Sequence, residues 1–307
     1  MKVLIAGGSG LIGRRLAQGL AEDGHEVIVL SRGGGANGAV AGVRVVKWDA
    51  RIAEGDWVKE LAGAHGVVNL AGASIGSRRW TRRRMADLLA TRLDATSAIV
   101  QAIERSTPAD RRPSVLVNAS GIDYYGDRGD EIMTEDGSPG DSFLARLSQQ
   151  WEAAAQKAEP LGVRVVRIRT AMVFAHDALA FRLLTLPFRL FGGGPLGNGR
   201  QWFTWIHLDD IAGLYRLALE DSRASGPING VAPDVRRESE VAKEIGRVLH
   251  RPAFVPAPAF MLRLALGAES QLLLDGRHAT PAKAQALGYR FKFGGLREAL
   301  KDVTRRS

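Results

Sequence analysis

The chain has 307 residues, a hydrophobic content of 45% and no cysteine, which excludes disulfides, thiolate catalysis and cysteine-ligated metal sites. It is long enough to bury a substantial core, as one large α/β domain or as two smaller units. No apolar run approaches the ~18 residues of a membrane-spanning helix, and the opening residues lack signal-peptide features, so we expect a cytoplasmic protein without a membrane partner. The six histidines show no metal-ligand spacing, and we expect no metal site.

The chain is basic, with 42 Lys and Arg against 33 Asp and Glu and a net charge of +9 at pH 7. The densest basic cluster, residues 78–84, holds five arginines around Trp80. It is interpreted as the solvated start of a long helix, or alternatively as an anion-collecting rim beside a cofactor cleft. Because no nucleic-acid recognition motif accompanies it, we expect a small-molecule substrate rather than a nucleic acid as partner.

The most informative stretch is residues 1–13, MKVLIAGGSGLIG. An apolar run predicts a buried strand, which leads directly into Gly7, Gly8, Gly10 and Gly13 and then into a helical pattern. Glycines at such a junction permit a sharp turn, close packing of helix on strand, and approach of backbone N–H groups to a pyrophosphate. The helix N-terminus supplies unsatisfied N–H donors and a partial positive charge. This context predicts a dinucleotide site at the opening strand.

Strand and helix patterns alternate after this loop. Further strands are predicted at residues 27–30, 43–47, 67–70, 114–120 and 163–168, with helices such as residues 85–103 between them. Strands separated by crossover helices indicate an α/β fold with a Rossmann-type, doubly wound parallel sheet.

A smaller, mostly helical C-terminal lobe is expected over the carboxyl ends of the strands, where open α/β sheets bind ligands. We predict a dinucleotide-binding domain at residues 1–170, to which residues 205–230 return with a strand near 227–230. The smaller substrate lobe then comprises residues 171–204 and 231–307. The Gly-rich residues 33–42 are predicted to form a loop at the edge of the cofactor site.

The end of the second predicted strand indicates which nicotinamide dinucleotide is bound. An NAD site requires Asp or Glu there to accept the ribose hydroxyls, whereas this chain reads Leu30-Ser31-Arg32. Arg32 can pair with a 2′-phosphate, and Ser31 can add a hydroxyl. We therefore predict NADP(H), the alternative being that Arg32 is a surface residue beside a mobile loop.

Four motifs follow the glycine loop: Asn69-Leu70-Ala71-Gly72, Arg79-Trp80-Thr81, Ala119-Ser120 with Tyr124-Tyr125-Gly126, and Trp205-Ile206-His207 with Asp209-Asp210. With them the chain resembles the extended short-chain dehydrogenase/reductase superfamily, and within it an atypical subgroup of the NAD(P)-dependent epimerase/dehydratase family. Residues 258–303 are similar to the small C-terminal domain of that subgroup. The resemblance covers essentially the whole chain.

The resemblance implies cofactor contacts along the carboxyl ends of the strands. They are Gly7, Ser9, Gly10, Leu11, Ile12 and Gly13 at the pyrophosphate, Asp49 near the adenine, Leu70, Ala71 and Gly72 beside the adenine-side ribose and phosphates, Ser120 near the nicotinamide ribose, and Arg169, Thr170, Ala171 and Met172 beside the nicotinamide. Relatives usually have Gly in place of Ala171.

The catalytic pair of the superfamily is missing. Its reductases use a Tyr with a Lys four residues later, because the cation lowers the phenol pKa from ~10. No Tyr-x-x-x-Lys occurs in this chain, and Leu144 and Ser148 occupy the positions of the pair. The remaining catalytic candidates are Ser120, Tyr124, Tyr125 and His207.

Each of the substitutes has a structural alternative. Tyr124 or Tyr125 could supply a phenol with Arg128 as a nearby cation, or both rings could pack the loop. His207 has a suitable intrinsic pKa, but it also precedes Asp209 and Asp210 and could be a structural residue at a helix start. The sequence thus predicts an NADP(H)-binding, epimerase/dehydratase-like oxidoreductase of a small carbonyl or sugar-type substrate. The alternative is a non-catalytic NADP(H)-binding redox sensor or partner-binding regulatory protein.

Overall fold

The computed structural model describes residues 1–33 and 40–305. The strands, in chain order, are β1 Lys2–Ala6, β2 Glu26–Ser31, β3 Val43–Lys47, β4 Gly66–Asn69, β5 Val115–Gly121, β6 Ile132–Met133, β7 Arg164–Thr170, β8 Met172–Phe174, β9 Trp202–Phe203, β10 Trp205–His207, β11 Gly226–Gly230, β12 Arg236–Arg237 and β13 His278–Ala279. The α-helices are α1 Leu11–Glu22, α2 Asp56–Lys59, α3 Arg82–Ser106, α4 Phe143–Gln156, α5 Leu179–Arg189, α6 Leu208–Glu220, α7 Glu238–Leu249, α8 Ala259–Leu266, α9 Gln271–Leu274, α10 Ala282–Ala286 and α11 Leu296–Arg305.

The main sheet has seven parallel strands in the order β11-β7-β5-β4-β1-β2-β3. Its central strands are apolar on both sides, as in β4, where all four residues are buried. Continuous apolar runs of this kind form strands covered by helices on both faces. The order reverses at β1, which places the carboxyl ends of β1 and β4 side by side at the switch point. The predicted Rossmann-type doubly wound sheet is confirmed.

Two hydrophobic cores cover the two faces of this sheet. Alternate residues of β1 supply them, with Val3 and Ile5 on one side and Leu4 and Ala6 on the other. Helices α1 and α6 pack on the first face, while α2 and the C-terminal half of α3 pack on the second. Burial on both faces makes the sheet a rigid base for the loops at its carboxyl edge.

A third core belongs to the C-terminal part of the chain, where α5, α7 and α11 pack around Phe174 and Trp205. Three two-stranded pairs, β10–β8, β12–β9 and β13–β6, connect this part to loops that leave the carboxyl edge of the main sheet. Between these, α6 packs on the first core and β11 extends the main sheet beside β7. Of the predicted loop at residues 33–42, residues 34–39 lie outside the described residues.

None of the helices in the described residues is both long enough and apolar enough to cross a bilayer.

The C-terminal part contains a buried carboxylate without a basic partner among the described residues. Glu238, the first residue of α7, accepts a hydrogen bond from the backbone N–H of Leu196 at 2.9 Å. Burial raises its pKa from 4.5 to about 7. The folded protein therefore binds a proton here more tightly than the unfolded chain does, and stability falls as the pH rises from about 4.5 through about 7.

We expect the substitution Glu238→Gln to flatten this pH dependence. The amide oxygen still accepts from Leu196, but no charge has to be buried above neutral pH. At pH 8 the variant should be more stable than wild type by about 3 kcal/mol, and at pH 4.5 the difference should be small. Urea unfolding across this pH range measures the effect. Glu240→Gln, on the exposed side of the same helix, is the matched control. If the free energy of unfolding had the same slope against pH in both variants, Glu238 would not be the source of the pH dependence.

Candidate functional site

The glycine loop between β1 and α1 forms a cradle that packs too closely on its neighbours to admit side chains at its glycines. Gly7 has a φ of +76°, and a Cβ there would lie 2.8 Å from the backbone carbonyl of Leu70. A Cβ on Gly13 would lie 2.6 Å from the Cα of Gly8, which shows how closely α1 packs on the loop. Gly10 is the N-cap of α1, and among the described residues no side chain caps the helix. The first-turn N–H groups, including those of Leu11, Ile12 and Gly13, therefore face an anion-binding position.

The residues predicted to select the cofactor lie at the carboxyl end of β2. Ser31 ends the strand and is half-buried, and Arg32 follows it and is exposed. No carboxylate of the described residues forms an ion pair with Arg32, so its guanidinium is available to a ligand. Asp49, predicted near the adenine, is also exposed, and its Oδ1 accepts from the backbone N–H groups of Arg51 and Ile52 at 2.9 and 3.2 Å. Asp49 thus closes a turn after β3.

The loop after β4 is held from beneath by a buried amide network. Asn69 donates to Asn118 Oδ1 at 2.7 Å and to Thr96 Oγ1 at 2.9 Å, and its own Oδ1 accepts from Ala71 N at 3.2 Å. This network fixes Leu70, Ala71 and Gly72 directly beside the glycine cradle, since Leu70 N donates to Ala6 O.

Arg92 of α3 lies under the same loop and is a functional candidate that the sequence did not single out. It is 6% exposed, and its Nη1 donates to the backbone oxygens of Ala73 and Leu88, both at 3.0 Å. Its Nε has no hydrogen-bond partner, and no carboxylate of the described residues pairs with it. A Cβ on Gly72 would lie 3.1 Å from its Cγ and 3.2–3.3 Å from its guanidinium. Burial, together with Arg84, lowers its pKa to about 10, so it remains a cation at neutral pH.

Beyond β5 and β7, a buried ion pair organises the carboxyl edge. Arg169 on β7 makes a two-pronged contact with Glu152 of α4, through Nε–Oε1 at 2.8 Å and Nη2–Oε2 at 3.0 Å. Ser120 donates to the same Oε1 at 2.7 Å, and Arg167 lies 3.5 Å from Oε2. The side chains of Ser120 and Arg169 therefore point into a shared interior network. Met172, which starts β8, is half-buried.

Tyr125 belongs to the same network. Its hydroxyl donates to Asn229 Oδ1 at 2.7 Å and accepts from Arg169 Nη1 at 2.9 Å. Burial raises its pKa to about 12, which disfavours proton exchange near neutral pH. The cation predicted beside this phenol, Arg128, is elsewhere: its guanidinium donates to the backbone oxygens of Tyr125, Ser138 and Pro139. Of the two alternatives for Arg128, the structure therefore supports packing of the loop at Tyr125, because backbone carbonyls accept from this guanidinium.

Tyr124 differs from its neighbour. It is half-buried, and its hydroxyl has no hydrogen-bond partner among the residues that the structure describes. The Arg169 guanidinium carbon lies 3.5 Å from the centre of its ring, the closest cation–π contact at the carboxyl edge. Of the four catalytic candidates, Tyr124 alone combines a free polar atom with an adjacent cation.

His207 is a structural residue in this geometry. It is the N-cap of α6, where its Nδ1 accepts from Asp209 N at 3.1 Å while Nε2 lies 3.3 Å from Asp302 Oδ2. Its ring packs on Phe293 at 3.9 Å. Burial lowers the pKa of His207, so the neutral ring fits both contacts, with the proton on Nε2.

The basic cluster at residues 78–84 surrounds the start of α3. Thr81 caps the helix by accepting from Arg84 N at 3.1 Å, and Trp80 is buried, with its Nε1 donating to Ile75 O at 2.9 Å. Arg78, Arg79, Arg82 and Arg83 are all exposed. This matches the interpretation as the solvated start of a long helix.

These features define the class of protein. A doubly wound sheet with a glycine cradle at its switch point is a Rossmann-type fold. The other side chains described above lie at the same carboxyl edge of the sheet. The chain belongs to the NAD dependent epimerase/dehydratase family, whose model matches residues 3–230. A second model, a domain of unknown function (DUF1731), matches residues 257–303.

Relatives align along the whole chain. The chain is 37% identical to the epimerase family protein SDR39U1 homolog, chloroplastic, of Arabidopsis thaliana, over 99% of this chain and 86% of the relative. It is 36% identical to the human epimerase family protein SDR39U1 over 99% of both chains. The crystal structure of the human protein (isoform2) with NADPH superposes with a TM-score of 0.88 at 35% identity, covering 100% of each chain.

A second similar solved structure is longer, and this chain covers only part of it. The nucleoside-diphosphate sugar epimerase of Corynebacterium glutamicum has a TM-score of 0.77 and 30% identity, covering 99% of this chain and 58% of that one. MoeE5 in complex with UDP-glucose and NAD has a TM-score of 0.76 at 21% identity, which shows the shared fold.

Proposed function

We propose that this protein is an NADP(H)-binding, epimerase/dehydratase-like oxidoreductase that acts on a small carbonyl or sugar-type substrate. The observation that carries the proposal is the uncapped start of α1 next to an Arg32 that no described carboxylate neutralises. A chain that selected NAD would place an acid after β2 to bind the ribose hydroxyls, and this one places a guanidinium there. The NADPH in the human relative's crystal structure supports the same choice.

The residues present fit this dinucleotide. Gly7, Gly8 and Gly13 pack the loop more closely on its neighbours than any Cβ would allow, as a pyrophosphate-binding loop requires, and Gly72, in the wall formed by the loop after β4, packs closely on Arg92. Arg92 adds a buried cation with an unsatisfied Nε under that wall. An anionic group bound here would supply the hydrogen-bond acceptor that the guanidinium lacks. Binding would require little further desolvation of Arg92, because this side chain is already buried in the folded protein. Residues 7–13, 70–72, Arg32 and Arg92 are therefore the proposed binding residues.

The nicotinamide ring supplies or accepts hydride equivalents when the cofactor is bound. What the chain must add is orientation and a proton. We assign the proton transfer to the hydroxyl of Tyr124, since the hydroxyls of Ser120 and Tyr125 already donate to Glu152 and Asn229. Arg169 next to the ring stabilises negative charge that develops on the phenol oxygen during the transfer. Because the chain has no cysteine and no bilayer-spanning helix in the described residues, we further propose a cytoplasmic location.

The test of the cofactor assignment is a thermal-shift comparison of NADPH, NADP⁺, NADH and NAD⁺ on wild type and on Arg32→Asp. A ligand that binds the folded state raises Tm according to its affinity and concentration. We expect wild type to respond more strongly to NADPH than to NADH. Loss of a charge-assisted hydrogen bond worth about 1.5–3 kcal/mol should weaken NADPH binding to the variant by about 10- to 150-fold.

Arg111→Asp is the matched control, since it makes the same charge change at an exposed position before β5, at the opposite edge of the sheet. It should leave the NADPH response unchanged. If Arg32→Asp and Arg111→Asp gave equal NADPH affinities, the 2′-phosphate assignment would be wrong. No response of wild type to any of the four dinucleotides would refute cofactor binding itself.

A further inference from the structure

The described surface carries an unusual concentration of exposed apolar side chains. Ten of its twelve exposed large hydrophobic residues fall within two short segments, residues 179–191 and 254–264. Isolated exposed hydrophobics are ordinary on a folded protein, but a contiguous group marks a contact surface. Neither segment contains a residue that the proposed cofactor site uses.

The first segment is α5 and the residue pair that follows it. Leu179, Leu183, Leu186 and Leu190 recur at spacings of four, three and four, so they form a single stripe along the helix. The buried residues of α5, Phe181, Thr185 and Phe188, lie on the opposite side and pack into the third core. The leucine stripe therefore points away from the protein.

The second segment is α8 with the residues before it. Helix α8 has the sequence AFMLRLAL, and none of its residues is buried, with Phe260 at 69% and Leu264 at 79% exposure. Seven of its eight residues are apolar, and only Ala259, Leu262 and Leu266 are even half-buried. An amphipathic surface helix would turn polar residues outward, so the exposed apolar face of α8 is unexplained by the fold.

The two segments form one surface, which we call the α5–α8 surface. Val255 N donates to Gly193 O at 3.1 Å, and Ala257 N donates to Pro195 O at 2.9 Å, which ties the approach to α8 to the residues after α5. The Arg251 guanidinium also stacks on the ring of Phe191 at 4.5 Å. The leucine stripe and α8 are thereby joined through Phe191, Phe254 and Val255.

The charge of the α5–α8 surface has a single sign. Residues 179–191 and 254–264 together contain three arginines and no Asp or Glu. Arg182 and Arg189 are exposed and flank the leucine stripe, and Arg263 projects from α8. A second copy of the chain would place these cations against each other. An anionic partner is favoured instead.

We propose that the α5–α8 surface binds peripherally to an anionic lipid bilayer. A bilayer surface offers an apolar layer and anionic headgroups side by side, which suits a patch of exposed apolar side chains flanked by arginines. The arginines extend their charged ends to the lipid headgroups while their stems lie along the apolar layer. This contact requires no membrane-spanning helix, and it revises the expectation, drawn from the lack of a spanning segment, that the protein has no membrane partner.

The experiment is co-sedimentation of the full chain with phosphatidylcholine vesicles, with and without phosphatidylglycerol. We expect binding to the anionic vesicles that weakens as salt is added. Leu264→Glu and Leu183→Glu should each reduce the partition coefficient about tenfold or more, because a carboxylate replaces an inserted side chain. The double variant Arg182→Glu/Arg189→Glu should do the same for anionic vesicles.

Ile132→Glu is the matched control, since Ile132 is 60% exposed but lies outside both segments. It should bind like wild type, and circular dichroism of every variant verifies that it is folded. Absence of binding to anionic vesicles would overturn the proposal, as would equal loss in the Ile132→Glu control. Wild type that stays off vesicles but dissociates from dimer to monomer on Leu264→Glu would assign the surface to a second copy instead.

Discussion

Replacement of Glu152 by Ala is expected to lower the free energy of unfolding by about 3–5 kcal/mol, the cost of removing one partner of a buried ion pair. Glu152 is 2% exposed and accepts from Ser120 and from two nitrogens of Arg169, with Arg167 at 3.5 Å. Without it, the guanidinium of Arg169 stays buried without a counter-ion, and Ser120 loses its acceptor. Urea unfolding at constant pH measures the loss.

The double variant Glu152→Met/Arg169→Met separates the charge effect from packing. Removing both ions of a buried pair costs much less than removing one, because no isolated charge remains. We therefore expect the double variant to be more stable than Glu152→Ala. Glu159→Ala, at an exposed position after the same helix, should change stability by less than about 1 kcal/mol. A Glu152→Ala protein as stable as this control would show that the pair is not the organising contact.

Replacement of Tyr124 by Phe is expected to reduce turnover by about 10²- to 10⁴-fold, the usual contribution of a positioned proton donor. The NADPH-induced rise in Tm should be unchanged, because the hydroxyl contacts no described residue and the ring keeps its place beneath Arg169. The measurement is NADPH oxidation over a panel of small carbonyl compounds and nucleotide sugars. A panel on which wild type oxidises no NADPH at all would count against the catalytic proposal.

Tyr125→Phe is the companion variant. Its hydroxyl bridges Arg169 and Asn229, so its removal should lower stability by about 1–3 kcal/mol. Turnover should fall far less than in Tyr124→Phe. If the two variants exchanged these effects, the proton donor would be Tyr125 rather than Tyr124.

The local features of the fold were predictable because they depend on neighbouring residues. The apolar run Val3–Ala6 followed by glycines determines the strand, the turn and the helix start within a dozen residues, and the structure places all three there. The alternation of apolar strands with amphipathic helices likewise identified the doubly wound sheet. The helix-capping role of His207, one of its two interpretations, followed from the acids two and three residues later.

The interior network was not predictable, since its members are distant in the chain. Glu152 lies on α4, and Asn229 lies on the edge strand β11, both far in the sequence from Ser120 and Tyr125. Nothing in the sequence near Arg128 indicates that its guanidinium would bond to backbone carbonyls, while Arg169, 45 positions after Tyr124, approaches that ring instead. Arg92 was missed for the same reason, although an arginine four residues after Leu88 on the apolar face of a helix is a detectable signal.

Buried hydrogen bonds connect the regions matched by the two family models. Glu135 is 7% exposed and accepts from the backbone N–H groups of Asn229 and Lys283, and Asn229 in turn donates to the carbonyl of Thr280. Likewise, Asp210 accepts from the N–H groups of Lys292 and Phe293. Ending the chain before residue 257 would remove the N–H donors of Lys283, Lys292 and Phe293 and uncover the acceptors they satisfy. We therefore expect an expression boundary drawn between the two family regions to yield a less stable protein than the full chain.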